Sequence, residues 1–489
     1  MISGWAADDV RAAESALMAT LPEGELMARA VEGLADVAEA RLARLAETEG
    51  GRVVALVGPG NNGGDALYAA ARLARDGHRV AALVGRWPVH EAGRTAAEQA
   101  GVEVLDGTGD AWPAPLADAD LVLDGILGIG GRPGLPEEAQ PWVDAIPDDA
   151  YVLAVDLPSG QDPAGECATP DAVFADETVT FGVPKPVHLL PATEPAAGRL
   201  TVVDIGSSVD AAPAVQRLTR DDVPRLWPVP GTGDDKDSRG VVGVVAGGQQ
   251  YTGAAVMACT AAVCSGAGMV RYLGPQRPTD LVRAAVPEAV VGDGQVQAWV
   301  IGPGLDTGAT GEGVQEQLAA AGRAMVSDLP VLVDAGGLDL LEGHRLAPTL
   351  LTPHAGELAR LLARLTDRAV SRSDVEAAPV AHARMAADLT GATVLLKGAT
   401  TLVVPPTASG LAVRSQNDAP AWLATAGAGD VLAGLAGTLL AAGLDPLDAG
   451  SLAALVHGVA ADDANPGGPV RALAVANGIP GTVAALLRR

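Results

Sequence analysis

Short apolar runs alternate with helix-length segments along most of the chain. Residues 25–46 carry Leu, Met and Val at helical spacing between charged residues, which predicts a long amphipathic helix. The apolar run 52–57 then ends in a glycine-rich turn, and residues 66–75 are again helical in pattern. Further strand-like runs lie at 80–84, 121–123 and 151–155. This alternation predicts a parallel sheet with helices on both faces, and ligands bind beyond the carboxyl ends of such strands.

A second alternation of the same kind starts near Val241. Its predicted strands are residues 241–246, 269–273, 298–301, 331–333 and 393–396. The stretch 207–237 between the two blocks is rich in Pro, Gly and Asp and has weak periodicity. We therefore expect two α/β domains, residues 1–213 and 214–489, with the boundary near Ala214.

Composition narrows the class of partner and compartment. A net charge of −27 disfavours nucleic acid as a partner, because phosphate backbones attract basic surfaces. Three cysteines without metal-type spacing indicate a reducing compartment. Residues 1–10 lack the layout of a signal peptide and no apolar run is long enough to span a bilayer. We expect a cytoplasmic protein that does not associate with membranes.

Lysine is rare while arginine is abundant. Only Lys185, Lys236 and Lys397 occur, and each is a candidate for a site that needs a compact ammonium group. Chance retention is an equally good explanation for any single one of them.

The sharpest motif of the first half is Gly58-Pro-Gly-Asn-Asn-Gly-Gly-Asp65. It satisfies the dinucleotide fingerprint after a strand, but a lone fingerprint is weak support. The acidic residue expected about 20 positions later is missing, because the next strand ends in Gly85-Arg86, which at best suits an NADP phosphate.

Polar residues also gather at the predicted strand ends. Asn61, Asn62 and Asp65 crowd the first turn, while Asp124 and Asp156 each follow a later strand. The three aspartates should converge at the carboxyl edge of the sheet. Helix capping and turn formation are the structural alternative for each of them.

These motifs, in this order over residues 10–210, closely resemble the NAD(P)H-hydrate epimerase domain, with a Rossmann-like α/β/α sandwich. The resemblance implies a potassium ion held by Asn62, Asp124 and Ser159, and Asp156 as the group that moves the proton during inversion at C6. It also implies substrate contacts by Asn61, Asn62, Gly63, Gly64, Asp65, Gly128, Ile129, Gly130, Gly131, Arg132, Pro133 and Gly134. Ala66 departs from the glycine more usual in the family, and Lys185 lies where the family tends to carry a lysine.

The informative stretch of the second half is Ala424-Thr-Ala-Gly-Ala-Gly-Asp430, which leads into a predicted helix at 431–440. A glycine-rich turn that opens a helix exposes unpaired N–H groups, so it favours an anion. Asp430 lies where it would accept a proton from a hydroxyl that attacks a phosphoryl group. An ordinary acidic residue that stabilises the helix dipole is the alternative.

Other strand-end turns supply further polar groups. Lys397-Gly-Ala-Thr-Thr401 offers an ammonium and hydroxyls to phosphate, and Leu351-Thr-Pro-His-Ala-Gly-Glu357 carries His354. Tyr251-Thr-Gly-Ala254 and Gly302-Pro-Gly304 are two more such turns. No P-loop occurs, so a P-loop kinase is disfavoured.

These five motifs resemble the ADP- or ATP-dependent NAD(P)H-hydrate dehydratase domain, with a ribokinase-like fold, over residues 220–485. The resemblance implies that Ala254, Gly304, His354 and Asp430 surround the hydrated nicotinamide nucleotide. ADP, with Mg²⁺, would be held by Lys397, Gly398, Ala399, Thr400, Thr401 and Gly429. Residues 234–240 replace a shorter opening, and residues 334–337 replace a second acidic turn, which puts a metal role of that loop in doubt.

Together the two resemblances imply a repair enzyme. It would interconvert the R and S epimers of NADHX and NADPHX and dehydrate the S epimer at the expense of ADP, as a homo-oligomer. Three alternatives stay open: a ribokinase-family kinase with a fused nucleotide-binding domain, an NADP-dependent oxidoreductase that uses the Gly58 turn, and a first domain without catalysis.

Overall fold

The structure is a computed structural model that describes residues 1–45, 50–311 and 313–489. The chain forms two compact units. One is Ser3–Val215, and the other combines Met1–Ile2 with Gln216–Arg489. In the described part of the chain, every helix is too short or too polar to cross a membrane.

The N-terminal unit is built on seven parallel strands in the order β4-β3-β2-β5-β6-β7-β8. The strands of this sheet are β2 Arg52–Val57, β3 Arg79–Val84, β4 Glu103–Asp106, β5 Leu121–Gly125, β6 Tyr151–Val155, β7 Glu177–Phe181 and β8 Arg199–Val203. A short strand outside this sheet, β1 Ile2–Gly4, precedes them in the chain. The helices are α1 Ala7–Met18, α2 Glu25–Leu45, α3 Asn61–Arg75, α4 Glu91–Gln99, α5 Pro113–Ala117, α6 Gln140–Asp144 and α7 Glu194–Ala197.

Burial explains why these segments form strands and helices. Residues 53–57 of β2 are all buried, as expected for a central parallel strand covered on both faces. Helix α2 buries Leu34, Ala38 and Leu42, spaced by one turn, against the same core. The predicted end of this helix, residue 46, lies outside the described residues.

Helix α3 starts earlier than predicted. It begins at Asn61, directly after Gly60, instead of near Ala66. The polar residues of the turn motif therefore occupy the first turns of the helix, and their side chains are presented at its N-terminus.

The C-terminal unit contains a larger, mostly parallel sheet in the order β9-β18-β17-β16-β15-β14-β13-β10-β11-β12. The strands are β9 Val215–Arg217, β10 Val241–Val245, β11 Met269–Leu273, β12 Ala289–Val291, β13 Ala298–Ile301, β14 Val331–Val333, β15 Thr349–Leu351, β16 Thr393–Leu396, β17 Thr401–Val404 and β18 Val413–Gln416. The helices are α8 Val223–Leu226, α9 Thr252–Cys264, α10 Gln276–Ala285, α11 Val314–Met325, α12 Ala355–Thr366, α13 Arg372–Ala377, α14 Pro379–Thr390, α15 Ala428–Ala441, α16 Pro446–Ala464 and α17 Ala472–Leu486.

Pairing is parallel from β12 to β16 and antiparallel from β16 through β18. Helix α15 is the central helix, because nearly all its residues after the first turn are buried. Small residues permit close packing: a Cβ on Gly434 would lie 2.2 Å from the Ala258 carbonyl oxygen of α9. The N-terminus of α15, which carries Asp430, is thereby fixed. The α/β class predicted for both units is confirmed.

A buried charge cluster connects α2 to strands β6, β7 and β8 at their amino ends. The Arg41 guanidinium donates to both Glu177 carboxylate oxygens, at 2.6 and 3.0 Å. The Tyr151 and Thr201 hydroxyls donate to the same carboxylate. Glu177 is fully buried, so the pair compensates a desolvated charge.

Replacing Arg41 by Met should destabilise the N-terminal unit by about 2 kcal/mol, because Glu177 loses its charged donors. Hydrogen exchange of β6 and β7 peptides in increasing urea measures this. Arg44→Met, at an exposed position of the same helix, is the matched control. Equal protection of β7 in the two variants would contradict the assignment.

Candidate active sites

Asp156 lies directly after β6 in a strained conformation. Its φ is +67°, which side-chain-bearing residues rarely adopt. Its carboxylate Oδ1 accepts hydrogen bonds from Lys185 Nζ at 2.6 Å and Thr180 Oγ1 at 3.0 Å. Lys185 is fully buried and also donates to the Phe181 carbonyl. A network of this kind holds the strained Asp156 in place.

The charge state of Asp156 follows from these contacts. Burial alone would raise the pKa of its carboxyl, but the Lys185 ammonium and the Thr180 hydroxyl hold that pKa below its ordinary value. Burial lowers the pKa of His188 to about 4, so the ring is neutral near pH 7. His188 Nδ1 accepts from the Lys185 backbone N–H, and its Nε2–H donates to the Asp156 carbonyl at 2.9 Å. Asp156 is therefore ionised.

The pKa of Asp65, in α3, is shifted in the opposite direction. Its side chain is buried, and burial followed by the nearby Asp156 and Glu14 carboxylates raises the pKa of Asp65 well above its ordinary value. A carboxyl with a raised pKa and an ionised carboxyl thus face the same edge of the sheet. Groups whose pKa values are separated in this way are typical acid–base partners.

The three predicted potassium ligands also come together. Asp124 is fully buried; its carboxylate accepts from Ser159 Oγ at 2.5 Å and from the Ser159 backbone N–H at 2.7 Å. Burial raises the pKa of Asp124 to about 6, although these hydrogen bonds lower it. Asn62 lies across the loop, since a Cβ on Gly128 would be 3.0 Å from Asn62 Oδ1.

The predicted substrate loop, residues 128–134, joins this edge. Gly131 N–H donates to the Gly128 carbonyl, and Gly134 N–H donates to the Gly160 carbonyl at 2.8 Å. The loop therefore connects Asn62 to the turn that carries Ser159. Ala66, the departure from the family pattern, is buried, and Gly125 leaves room for its methyl group.

In the C-terminal unit, a lysine again pairs with a buried aspartate. Lys397 Nζ lies 2.7 Å from Asp334 Oδ1 and 3.7 Å from Glu357 Oε2. Thr352 Oγ1 also donates to Asp334 at 2.9 Å. Burial would lower the pKa of Lys397, but the Asp334 and Glu357 carboxylates raise it, so the ammonium is charged.

His354 caps helix α12. Its Nδ1 accepts from the Gly356 and Glu357 backbone N–H groups, and Glu357 accepts from the His354 N–H at 2.8 Å. The two residues form a reciprocal capping box, which fixes Glu357 beside Lys397.

Asp430 lies in the first turn of α15, close to this pair. A Cβ on the preceding Gly429 would be 3.3 Å from Lys397 Nζ. Burial and the Asp334 charge raise the pKa of Asp430 to about 7, although the Lys397 charge opposes this shift. Asp430 is thus poised to take or give a proton at neutral pH.

The remaining predicted contacts lie on neighbouring turns. A Cβ on Gly304 would be 2.7 Å from the Ala254 methyl group. Gly398, Ala399 and Thr400 form the turn between β16 and β17, and Thr401 begins β17. Met257 connects the helix of Ala254 to the turn before α15, since its Sδ would be 2.4 Å from a Cβ on Gly427.

Sequence reasoning did not assign the partners that set these charge states. Thr180, His188 and Asp334 were not predicted as site residues, and Lys185 was noted without a role. The rarity of lysine was the available signal: Lys185 is buried and Lys397 is partly buried, each paired with an aspartate, while Lys236 is exposed.

Ionisable groups with shifted pKa values, paired at the carboxyl edge of a parallel sheet, are typical of enzymes. Two such sites on two α/β units define the class: a bifunctional enzyme that moves protons. Residues 23–187 match the family model described as YjeF-related protein N-terminus, and residues 242–473 match the model of NAD(P)H-hydrate dehydratase.

The chain belongs to the family of bifunctional NAD(P)H-hydrate repair enzymes. It is 43% identical over 456 residues to that enzyme of Mycobacterium tuberculosis, covering 90% of this chain and 89% of the relative. It is 32% identical over 484 residues to that of Escherichia coli, covering 94% and 89%. These matches favour neither an oxidoreductase role for the Gly58 turn nor a fused small-molecule kinase.

The units also have separate relatives. NAD(P)H-hydrate epimerase of Clavibacter sepedonicus is 42% identical over 229 residues, covering 44% of this chain and 96% of the relative. The ADP/ATP-dependent NAD(P)H-hydrate dehydratase of Bacillus subtilis, co-crystallised with ATP/Mg²⁺, is similar with a TM-score of 0.49 and 25% identity. That match covers 56% of this chain and 99% of the dehydratase.

Replacing Asp334 by Asn should lower the pKa of Asp430 from about 7 toward the ordinary carboxyl range. The variant removes a neighbouring negative charge and frees the Lys397 ammonium, and both changes favour the ionised form of Asp430. Carbon-13 NMR titration of labelled aspartates, assigned with Asp430→Asn, measures the shift. Asp339→Asn, on the exposed side of the same loop, is the control. An unchanged titration in Asp334→Asn would refute the coupling.

Proposed function

We propose that the N-terminal unit epimerises NADHX and NADPHX, and that the C-terminal unit dehydrates the S epimer with ADP, giving AMP and phosphate. The observation that carries this proposal is the charge state of the three carboxyl groups. Asp156 is ionised, the pKa of Asp65 is raised well above its ordinary value, and the pKa of Asp430 is raised to about 7 at a helix N-terminus. Each shift is in the direction that the proposed reaction requires: Asp156 as a base, Asp65 as an acid, and Asp430 as a base near neutral pH.

Inversion at C6, which bears both the hydroxyl and the ring nitrogen N1, proceeds by opening the ring. Asp156 takes the hydroxyl proton, the C6–N1 bond breaks, and N1 keeps the electron pair and accepts a proton from Asp65. The products of this step are an aldehyde at C6 and an N–H at N1. Rotation about C5–C6 and attack of N1 on the other face close the ring, and the N1 proton returns to Asp65. The new C6 hydroxyl oxygen takes up one proton and Asp156 gives up the one it removed, so no proton is consumed overall. General acid–base catalysis of this kind contributes roughly 10²–10⁴-fold.

Potassium fits the site of Asn62, Asp124 and Ser159. Asp124 is a buried carboxylate with hydrogen-bond donors but no basic side chain beside it in the described ranges, and the Asn62 amide oxygen Oδ1 lies beside Gly128 in the adjoining loop. Bound potassium would fix the loop that contacts the substrate.

The dehydratase reaction begins with removal of the C6 hydroxyl proton by Asp430. The hydroxyl oxygen attacks the terminal phosphorus of ADP, and the bond to AMP breaks. N1 then expels phosphate from C6, and loss of a C5 proton restores the dihydronicotinamide ring. Backbone N–H groups of residues 426–429 and the Lys397 ammonium stabilise the transferring charge. Mg²⁺ would enter with the nucleotide phosphates and neutralise their charge.

The ligands are thus small molecules: hydrated nicotinamide dinucleotides and ADP. We also infer a homo-oligomer in the cytoplasm, from the family resemblance and from cysteines that are all free in the described chain.

Asp430→Asn should abolish ADP-dependent dehydration of S-NADHX and leave epimerisation intact, because only the dehydratase loses its base. Asp156→Asn should do the reverse. Each loss should be at least about 10²-fold. Formation of NADH is followed by dihydronicotinamide absorbance, and conversion of pure R-NADHX by chromatography. Equal loss of both activities in either variant would argue against two separate sites, and inactivity of the unaltered chain would overturn the proposed function.

Potassium should raise the melting temperature of the N-terminal unit by about 3 °C relative to sodium, as expected for binding worth about 1 kcal/mol. Asp124→Asn should remove this increment, and Asp110→Asn, at an exposed loop position, should keep it. Differential scanning calorimetry in matched chloride salts measures both. The same increment in Asp124→Asn and the unaltered chain would place the ion elsewhere.

A further inference from the structure

Helix α1 lies at the edge of the epimerase site, although it precedes the residues that match the epimerase family model. Its approach is fixed by backbone contacts: Trp5 N–H donates to the Pro184 carbonyl at 3.1 Å. A Cβ on Gly4 would be 3.3 Å from the Lys185 carbonyl carbon, and Val10 is buried. The helix therefore starts beside the lysine that pairs with Asp156.

One face of α1 points toward the predicted substrate contacts. Arg11 Nη1 would lie 3.7 Å from a Cβ on Gly130, in the substrate loop. Residues three positions apart share a helix face, so Glu14 lies beside Arg11 on this side. Arg11 itself pairs with the exposed Asp8.

Glu14 is a half-buried carboxylate that receives no hydrogen bond or ion pair from any residue the structure describes. The charged and titratable groups near it are Asp65, Asp156 and Lys185, with His188 behind Asp156 and Arg11 on its own helix. Burial raises the pKa of Glu14 above its ordinary value; the Lys185 charge opposes this shift and the Asp156 charge adds to it. A raised pKa brings a carboxyl closer to the range in which it exchanges protons at neutral pH.

Inversion at C6 leaves the proton removed from the substrate on Asp156, away from the oxygen that needs it. Asp156 holds the proton removed from one face, while the oxygen on the other face needs one after closure. Asp65 and Asp156 are both less than a tenth exposed, so neither exchanges readily with water. Each turnover therefore requires one proton to leave Asp156 and one to reach the new hydroxyl from solvent.

We propose that Glu14 is a third functional carboxyl of the epimerase site, which accepts the proton from Asp156 and releases it to solvent. This role rests on the proposed epimerase function. Glu14 differs from Asp65 and Asp156 in being partly accessible, and it belongs to the same charged cluster. Among residues 1–45, 50–311 and 313–489, its carboxylate has no hydrogen-bond or ion-pair partner that would explain its half-buried position.

The test is proton-transfer rescue in the full-length protein. Glu14→Ala should lower kcat for conversion of pure R-NADHX by about 10²-fold in dilute buffer without changing KM. Acetate or imidazole should restore the rate in proportion to buffer concentration, because a small acid or base replaces the missing carboxyl. Glu14→Gln, which keeps the shape, should show the same loss, and Glu14→Asp should retain part of the rate.

Glu23→Gln, at an exposed site after α1, is the matched control and should behave as the unaltered chain. Dehydration of S-NADHX should be unaffected in every Glu14 variant. An unaltered kcat in Glu14→Gln, or a loss in Glu14→Ala that buffer does not restore, would overturn the inference. Failure of the proposed function itself would appear differently, as absence of epimerisation in the unaltered chain.

Discussion

The contact on which the epimerase site depends is the buried ion pair between Asp156 and Lys185. Lys185 Nζ is fully buried and lies 2.6 Å from the carboxylate, so each charge compensates the desolvation of the other. Without the ammonium, burial would favour the protonated form of Asp156. The pair therefore fixes both the position and the charge of the carboxylate that we propose as the base.

The C-terminal unit also contains a lysine–aspartate ion pair, but here the pair acts on the pKa of a third residue. There Lys397 pairs with Asp334, and the titrating residue is the third member, Asp430. The ammonium is held near Gly429, and burial, with the Asp334 charge and in spite of the Lys397 charge, keeps the pKa of Asp430 near neutrality. Lys397 thus pairs with Asp334 and also limits the rise in the pKa of Asp430. Backbone strain accompanies both pairs, since Asp156 and Ala335, which follows Asp334, have positive φ values.

Much of the fold was predictable because central parallel strands are continuous apolar runs. The strands 151–155, 269–273, 298–301, 331–333 and 393–396 were predicted with the bounds the structure has. Strand β7 was missed, since its sequence Glu177-Thr-Val-Thr-Phe181 carries polar residues that become buried only through tertiary partners such as Arg41. The early start of α3 was not predicted because Asn and Gly are poor helix formers, so residues 61–64 have the pattern of a turn. In the structure Gly60 is the N-cap residue and the helix begins at Asn61.

The candidate sites divide in the same way. The positions of Asp124 and Asp156 could be predicted because the carboxyl ends of parallel strands share one edge, and Asp430 could be predicted from the glycine-rich turn that opens a helix. Their charge states depend on contacts distant in sequence, such as Asp156 with Lys185 and Asp334 with Lys397, and no local pattern encodes such a distance. Glu14 illustrates the limit most clearly. The sequence pattern predicted no element for residues 7–18. In the structure the Trp5–Pro184 hydrogen bond anchors helix α1 beside Lys185, and Glu14 interacts electrostatically with Lys185 and Asp156. The number of carboxyl groups in an acid–base site therefore says little about its chemistry. The cations near each carboxyl group set its pKa, and its access to water decides whether it exchanges protons with solvent.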